Sequence, residues 1–101
     1  MECIRMATYE IKTGNFQEVA DKARDGMLKT FKEQPGFIRY GLADIGNNKA
    51  VSISFWNTHK DADAATPVAA TWVRDNLKDS VELKSTDIGD LAFLEGVPAR
   101  V

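Results

Sequence analysis

The eight residues from Lys49 to Trp56 alternate Val51, Ile53 and Phe55 with Ser52, Ser54 and Trp56, and no other stretch constrains the fold as much. Alternation with a period of two over that length specifies a β-strand. The preceding run, Phe37 to Ile45, alternates Phe37, Arg39, Gly41, Ala43 and Ile45 with Ile38, Tyr40 and Leu42. Gly46-Asn47-Asn48 lies between the two runs and supplies the positive-φ residues of a tight hairpin turn, so they pair antiparallel. Neither strand has a wholly polar face, and the sheet they begin therefore needs cover on both sides.

The rest of the chain supplies cover for one side. Residues 2–11 form a breaker-free run rich in Ile, Met, Thr and Tyr, read as a first strand. Asn15 with Glu18 makes a capping box, and Phe16, Val19, Ala20, Ala23, Met27 and Phe31 then form one apolar stripe at helical spacing. Gln34-Pro35-Gly36 ends that helix. Thr58, with Asp61 three residues on, caps a short helix from His59 to about Ala65, and Thr66-Pro67 reads as a fresh cap for a second segment to about Lys78. Val81 to Ile88 makes a fourth strand, with residues 89–101 extending it or crossing to a partner.

The order βαββαβ predicts an α+β, ferredoxin-like sandwich, with four antiparallel strands and two helices on one face. Its length of 101 residues suits one domain over residues 1–101. A second copy stacked sheet to sheet would cover the spare face, so a twofold homodimer is expected. A net charge of −2 without a basic cluster speaks against a nucleic-acid partner. One cysteine, no leader pattern and no long apolar run point to a cytoplasmic protein with no membrane partner. One histidine and one cysteine are too few for an ordinary zinc or iron site, and no glycine-rich phosphate loop is present, so neither metal nor cofactor is expected.

"PGFIRYGLAD", a hairpin, "AVSISFW", a polar cap and an Ala-rich helix together resemble the antibiotic biosynthesis monooxygenase (ABM) domain family of the dimeric α/β-barrel superfamily. The resemblance covers roughly residues 2–92, most specifically Pro35-Gly36-Phe37 and the strand ending in Trp56. It implies a homodimer with a pocket in each subunit between sheet and helices. The cofactor-independent, quinone-forming members place an aromatic at the position of Trp56. They carry an asparagine where this chain has Ser52 and a tyrosine where it has Ala62. The haem-degrading branch has a histidine on the second long helix, where Trp72-Val73 stands here, and His59 lies before it.

Six residues follow as site candidates. Trp56 is expected to stack on an aromatic substrate and donate its indole N–H, with Ser52 and Tyr40 supplying catalytic hydrogen bonds. Ser54, Asn76 and Trp72 are expected to complete the substrate-binding wall, Asn76 because its amide falls within the apolar arc of Ala65, Val68, Ala69, Trp72 and Val73. Each has a blander alternative: a core tryptophan, a solvated serine row, or an amide bonded to a loop carbonyl. Arg5 and Arg39 could reach a substrate carboxylate or form ion pairs across a sheet or dimer edge. His59 is expected at the surface. The function expected is oxidation of a phenol or quinol by O₂ without a cofactor. The alternatives are a non-catalytic homodimer that binds a small aromatic or apolar ligand in sensing or stress, and a structural dimer whose pocket its own side chains fill.

Overall fold

Strong β-formers with one apolar face make four strands, and a computed structural model describes them within residues 2–96. Residue 1 and residues 97–101, the end of the expected domain and of the expected C-terminal extension, lie outside the described residues. Strands β1 (Cys3–Ile11), β2 (Phe37–Gly46), β3 (Lys49–Trp56) and β4 (Val81–Asp90) form one antiparallel sheet in the order β2-β3-β1-β4. Helical residues fill the two connections that cross over: α1 (Phe16–Lys22), a π-helical turn (Ala23–Met27) and α2 (Leu28–Lys32) form one, and α3 (His59–Asn76) the other. This is the ferredoxin-like α+β fold. Among the described residues no helix is long and apolar enough to cross a membrane.

Caps and turns follow side-chain chemistry. Asn15 Oδ1 accepts from the Glu18 N–H at 3.0 Å, and Thr58 Oγ1 from the Asp61 N–H at 3.1 Å. Asn47 and Asn48 have φ of 54° and 59°, so the β2–β3 loop turns with both central residues left-handed, the twist that matches paired strands.

Three expectations need correction. Helix α3 runs unbroken through Thr66 and Pro67. Thr66 Oγ1 does not cap a new helix: it donates to the Ala62 carbonyl at 3.3 Å and accepts from Arg5 Nε at 3.0 Å. Pro67 costs one helical hydrogen bond, but Pro67 and Asp63, whose carbonyl it orphans, are both exposed to water. Burial of Ala62, Ala65 and Ala69 against the sheet holds the helix together across that gap. In β2 a register shift between Phe37 and Arg39 puts Phe37 opposite Trp56 and Tyr40 opposite Ser54. Phe37 thus joins Tyr40 and Leu42 on the helix side instead of sharing a face with Arg39, whose guanidinium lies over the Phe55 ring at 5.8 Å.

The third correction is the π-helical turn inside the first helix. Its closing bond runs from the Leu28 N–H to the Ala23 carbonyl, five residues back, and Thr30 Oγ1 donates to the Gly26 carbonyl at 3.0 Å. A Cβ at Gly26 would stand 2.5 Å from Trp72 Cζ2, so α3 packs against this turn because residue 26 has no side chain. Gly26→Ala should therefore destabilise by about 1 kcal/mol, since displacing the indole outweighs the gain in helix propensity. Thermal unfolding checks it, and a raised Tm would mean that Trp72 swings aside freely.

Candidate functional site

Parity along the strands decides what the helices cover. Cys3, Arg5, Ala7, Tyr9 and Ile11 of β1 are buried on one side, as are Ala50, Ser52, Ser54 and Trp56 of β3. Between this face and the helices lies a small cavity lined by Tyr9, Tyr40, Leu42 and Ser52 from the sheet and by Ala23 and Met27 from the π-helical turn, with Val73 and Leu77 of α3 closing it. About 20 Å³ is open to the centre of a water molecule, room for little more than one water. Ala23, Tyr40 and Leu42 separate the cavity from a surface recess of about 220 Å³ between the first helix and β2.

The polar groups on this apolar wall are few and connected. Arg5 is 2% exposed. Its Nε donates to Thr66 Oγ1 at 3.0 Å, and the Tyr9 and Tyr40 phenols lie near its guanidinium. Among the described residues no carboxylate pairs with it. Burial pulls the Arg5 pKa below its ordinary value, opposed by Tyr9 and Tyr40. Burial pushes Tyr9 up as well, and raises Tyr40 to about 12 despite the opposing influence of nearby Ser52. Tyr40 is thus a neutral phenol throughout the physiological range, a donor and not a base.

That shift has a sign for stability. Folding holds Tyr40 neutral, so its contribution is complete below pH 10.0, the ordinary value, and is lost as pH rises toward about 12. An absorbance titration should show no tyrosinate from Tyr40 near pH 10 while the protein is folded. Ionisation at the ordinary value would place the phenol in water.

The six sequence candidates divide. Tyr40 and Ser52 line the cavity together. Trp56 and Ser54, each 0% exposed, lie outside it in the adjoining core with Phe31 and Phe37. Trp56 Nε1 donates to Ser54 Oγ at 2.9 Å, so the indole N–H expected for substrate is already used. Trp72 packs between the helices on Gly26 and does not line the cavity. Asn76 is exposed in the last turn of α3, where its Nδ2 donates to the Trp72 carbonyl at 2.9 Å; it borders a surface groove and not the cavity, because the helix end reaches past the sheet-facing wall. Tyr9 was missed, although it shares the parity of Arg5 in β1. Arg39 is exposed, on the open face of the sheet.

His59 is half-exposed at the first turn of α3, close to Cys3. Burial, reinforced by Asp90 and Asp63, pushes the Cys3 thiol up, the reverse of what an activated nucleophile needs.

Comparison with known proteins matches this architecture. The fold superposes on a single-substitution variant of SnoaB, a cofactor-independent oxygenase from Streptomyces nogalater, with a TM-score of 0.71 at 16% identity over 92% of this chain and 95% of that one. A Nitrosomonas europaea protein described as a candidate antibiotic biosynthesis monooxygenase gives 0.69 at 22% identity over 94% of each chain. MupZ from Pseudomonas fluorescens gives 0.66 at 12% identity over 86% of this chain and 69% of that one. No curated sequence matches. The family model described as antibiotic biosynthesis monooxygenase matches residues 3–67, well over half of the chain, and takes in β1, the first helix, the β2–β3 hairpin and the start of α3. The chain belongs to the antibiotic biosynthesis monooxygenase family.

Proposed function

We propose that this protein is a cofactor-independent monooxygenase that oxidises a phenol or quinol bound as its anion beside Arg5. The carrying observation is a guanidinium, 2% exposed and without a carboxylate partner among the described residues, next to an apolar cavity edged by Tyr9, Tyr40 and Ser52. A buried charge is costly unless paired, and a bound phenolate would pair this one. An opposite charge at that range lowers a phenol's pKa by about 1–3 units, which offsets the lack of a carboxylate base in the cavity. Tyr40, neutral at working pH, donates to the substrate oxygen alongside Ser52.

The anion then reduces O₂ itself. One oxygen atom forms a new bond to a ring carbon; that carbon loses its hydrogen as a proton, the O–O bond breaks, and the second oxygen leaves as water with the quinone formed. The protein binds, orients and dries the site. Entry runs from the recess over Ala23, Tyr40 and Leu42, and admitting a ring requires the first helix to move away from β2. SnoaB, described as a cofactor-independent oxygenase, supports the reaction class by its shared fold.

Oxygen uptake with naphthohydroquinone, in metal-chelated buffer, tests the reading. One O₂ consumed per ring-hydroxylated quinone formed, with water and not hydrogen peroxide as the second product and little turnover by Tyr40→Phe, is the expected result. Saturable binding without uptake would favour a non-catalytic ligand-binding dimer. A second copy is proposed to cover the open sheet face, where Met6 is 38% exposed beside half-buried Ile4, Val51, Ile53 and Phe55. Light scattering that gave a monomer mass would remove that part, and the proposed location in the cytoplasm stands apart from it.

A further inference from the structure

At the end of the sheet remote from the hairpin, three elements bring together three metal-ligating side chains of different chemistry. Cys3 opens β1 and sits in the ladder directly between Trp56 and Asp90, the last residue of β4. His59 is the first residue of α3, held by the Thr58 cap. Cys3 Sγ lies 4.0 Å from His59 Nδ1, and Asp90 Oδ1 lies 3.8 Å from the same nitrogen. The three ligand atoms all fall within 4.8 Å of one another. The far side of the imidazole is occupied: His59 Nε2 is 3.4 Å from Asp63 Oδ2, one helical turn on.

This geometry points to a binding site for a divalent cation of the zinc class, ligated by Cys3, His59 and Asp90. Asp63 favours the proton on Nε2, and in that tautomer the lone pair of Nδ1 faces the sulfur and the carboxylate. A carboxylate behind a ligating histidine is the usual device for fixing its orientation. Tetrahedral zinc bonded to sulfur, nitrogen and oxygen would hold neighbouring ligand atoms about 3.3–3.6 Å apart, so side-chain shifts of up to about 1 Å close the site. Thiolate with imidazole and one carboxylate favours zinc or cobalt over magnesium or calcium, which prefer all-oxygen shells. His59 and Asp90 are half-exposed, which leaves a fourth position open to water. The site lies outside the cavity and is independent of the proposed oxidation.

Cobalt(II) added to the chelator-stripped protein supplies the test. Binding of one equivalent should produce a thiolate-to-cobalt charge-transfer band and tetrahedral visible bands, which zinc then displaces. Asp90→Asn, at an exposed position, and His59→Ala should each weaken binding at least tenfold, and Asp63→Asn by about 10–100-fold. Cys3→Ser should abolish the charge-transfer band, with circular dichroism reporting whether the variant is folded. Tyr40→Phe, in the cavity, should bind cobalt unchanged. No binding, or binding with an octahedral spectrum and no thiolate band, would overturn the site and leave His59 as a partner of the two carboxylates only.

Discussion

Replacing Trp56 with alanine should remove about 3–5 kcal/mol of stability, a large part of the ~5–15 kcal/mol that holds a domain folded. The indole is fully buried and meets Phe31 edge-on at 5.2 Å and Phe37 at 5.4 Å. Phe31 in turn meets Tyr40 edge-on at 5.2 Å, so the cluster runs from the strand end to the cavity wall. Alanine would leave a void that the surrounding rings cannot fill and would strip Ser54 Oγ of its donor. Trp56→Phe should cost less, because it keeps a ring and loses mainly the indole N–H. Urea unfolding gives both values. A loss below about 1 kcal/mol for alanine would mean that the cluster collapses onto the gap. The expectation is chiefly structural: Trp56 supports the wall behind Tyr40 through Phe31 and does not itself line the cavity.

Arg5→Met should do the reverse. Catalytic efficiency should fall by about 10²–10³, the usual loss when a preorganised donor to a developing oxyanion is removed. Stability, however, should rise by about 1 kcal/mol, because replacing a buried unpaired charge with a similar apolar volume is commonly neutral or stabilising. Thr66 loses the Arg5 Nε donor in that variant but keeps its own bond to the Ala62 carbonyl, so its hydroxyl stays hydrogen-bonded. Opposite changes in activity and stability mark a residue kept for function. Urea unfolding and oxygen uptake on the same preparation measure both. A variant that loses stability in parallel with activity would make Arg5 a structural group and remove the anion from the proposed chemistry.

Sequence periodicity reached the main features of the fold. The apolar stripe from Phe16 to Phe31, the paired asparagines at 47 and 48, and the alternation of β3 are local signals, each read within one turn or one strand. The same alternation put Ser52, Ser54 and Trp56 on one face, which is the helix face. It could not tell which of them border empty space. Ser52 borders the cavity and Trp56 does not, because Phe31 and Phe37 arrive from distant segments and enclose the indole. The irregularities were equally hidden. A register shift after Phe37 has no composition mark, and the π-helical turn accommodates the Gly26–Trp72 approach, a contact across 46 positions. Pro67 read as a break because its local cost is visible in sequence, whereas the alanine packing that outweighs it is not.

The chain alone, then, determined strand and helix order, the Asn15 and Thr58 caps, the hairpin turn and the two faces of β3, since all of these depend on residues within a few positions of one another. Tertiary structure decided the site. Arg5 read equally well as an ion-pair partner until the sheet buried it without a carboxylate. The proposed metal site likewise depends on β1, β4 and α3, which bring Cys3, Asp90 and His59 within 4.8 Å of one another. Burial and charge pairing are properties of what surrounds a group, and the surroundings here come from segments that meet only when the sheet and helices pack.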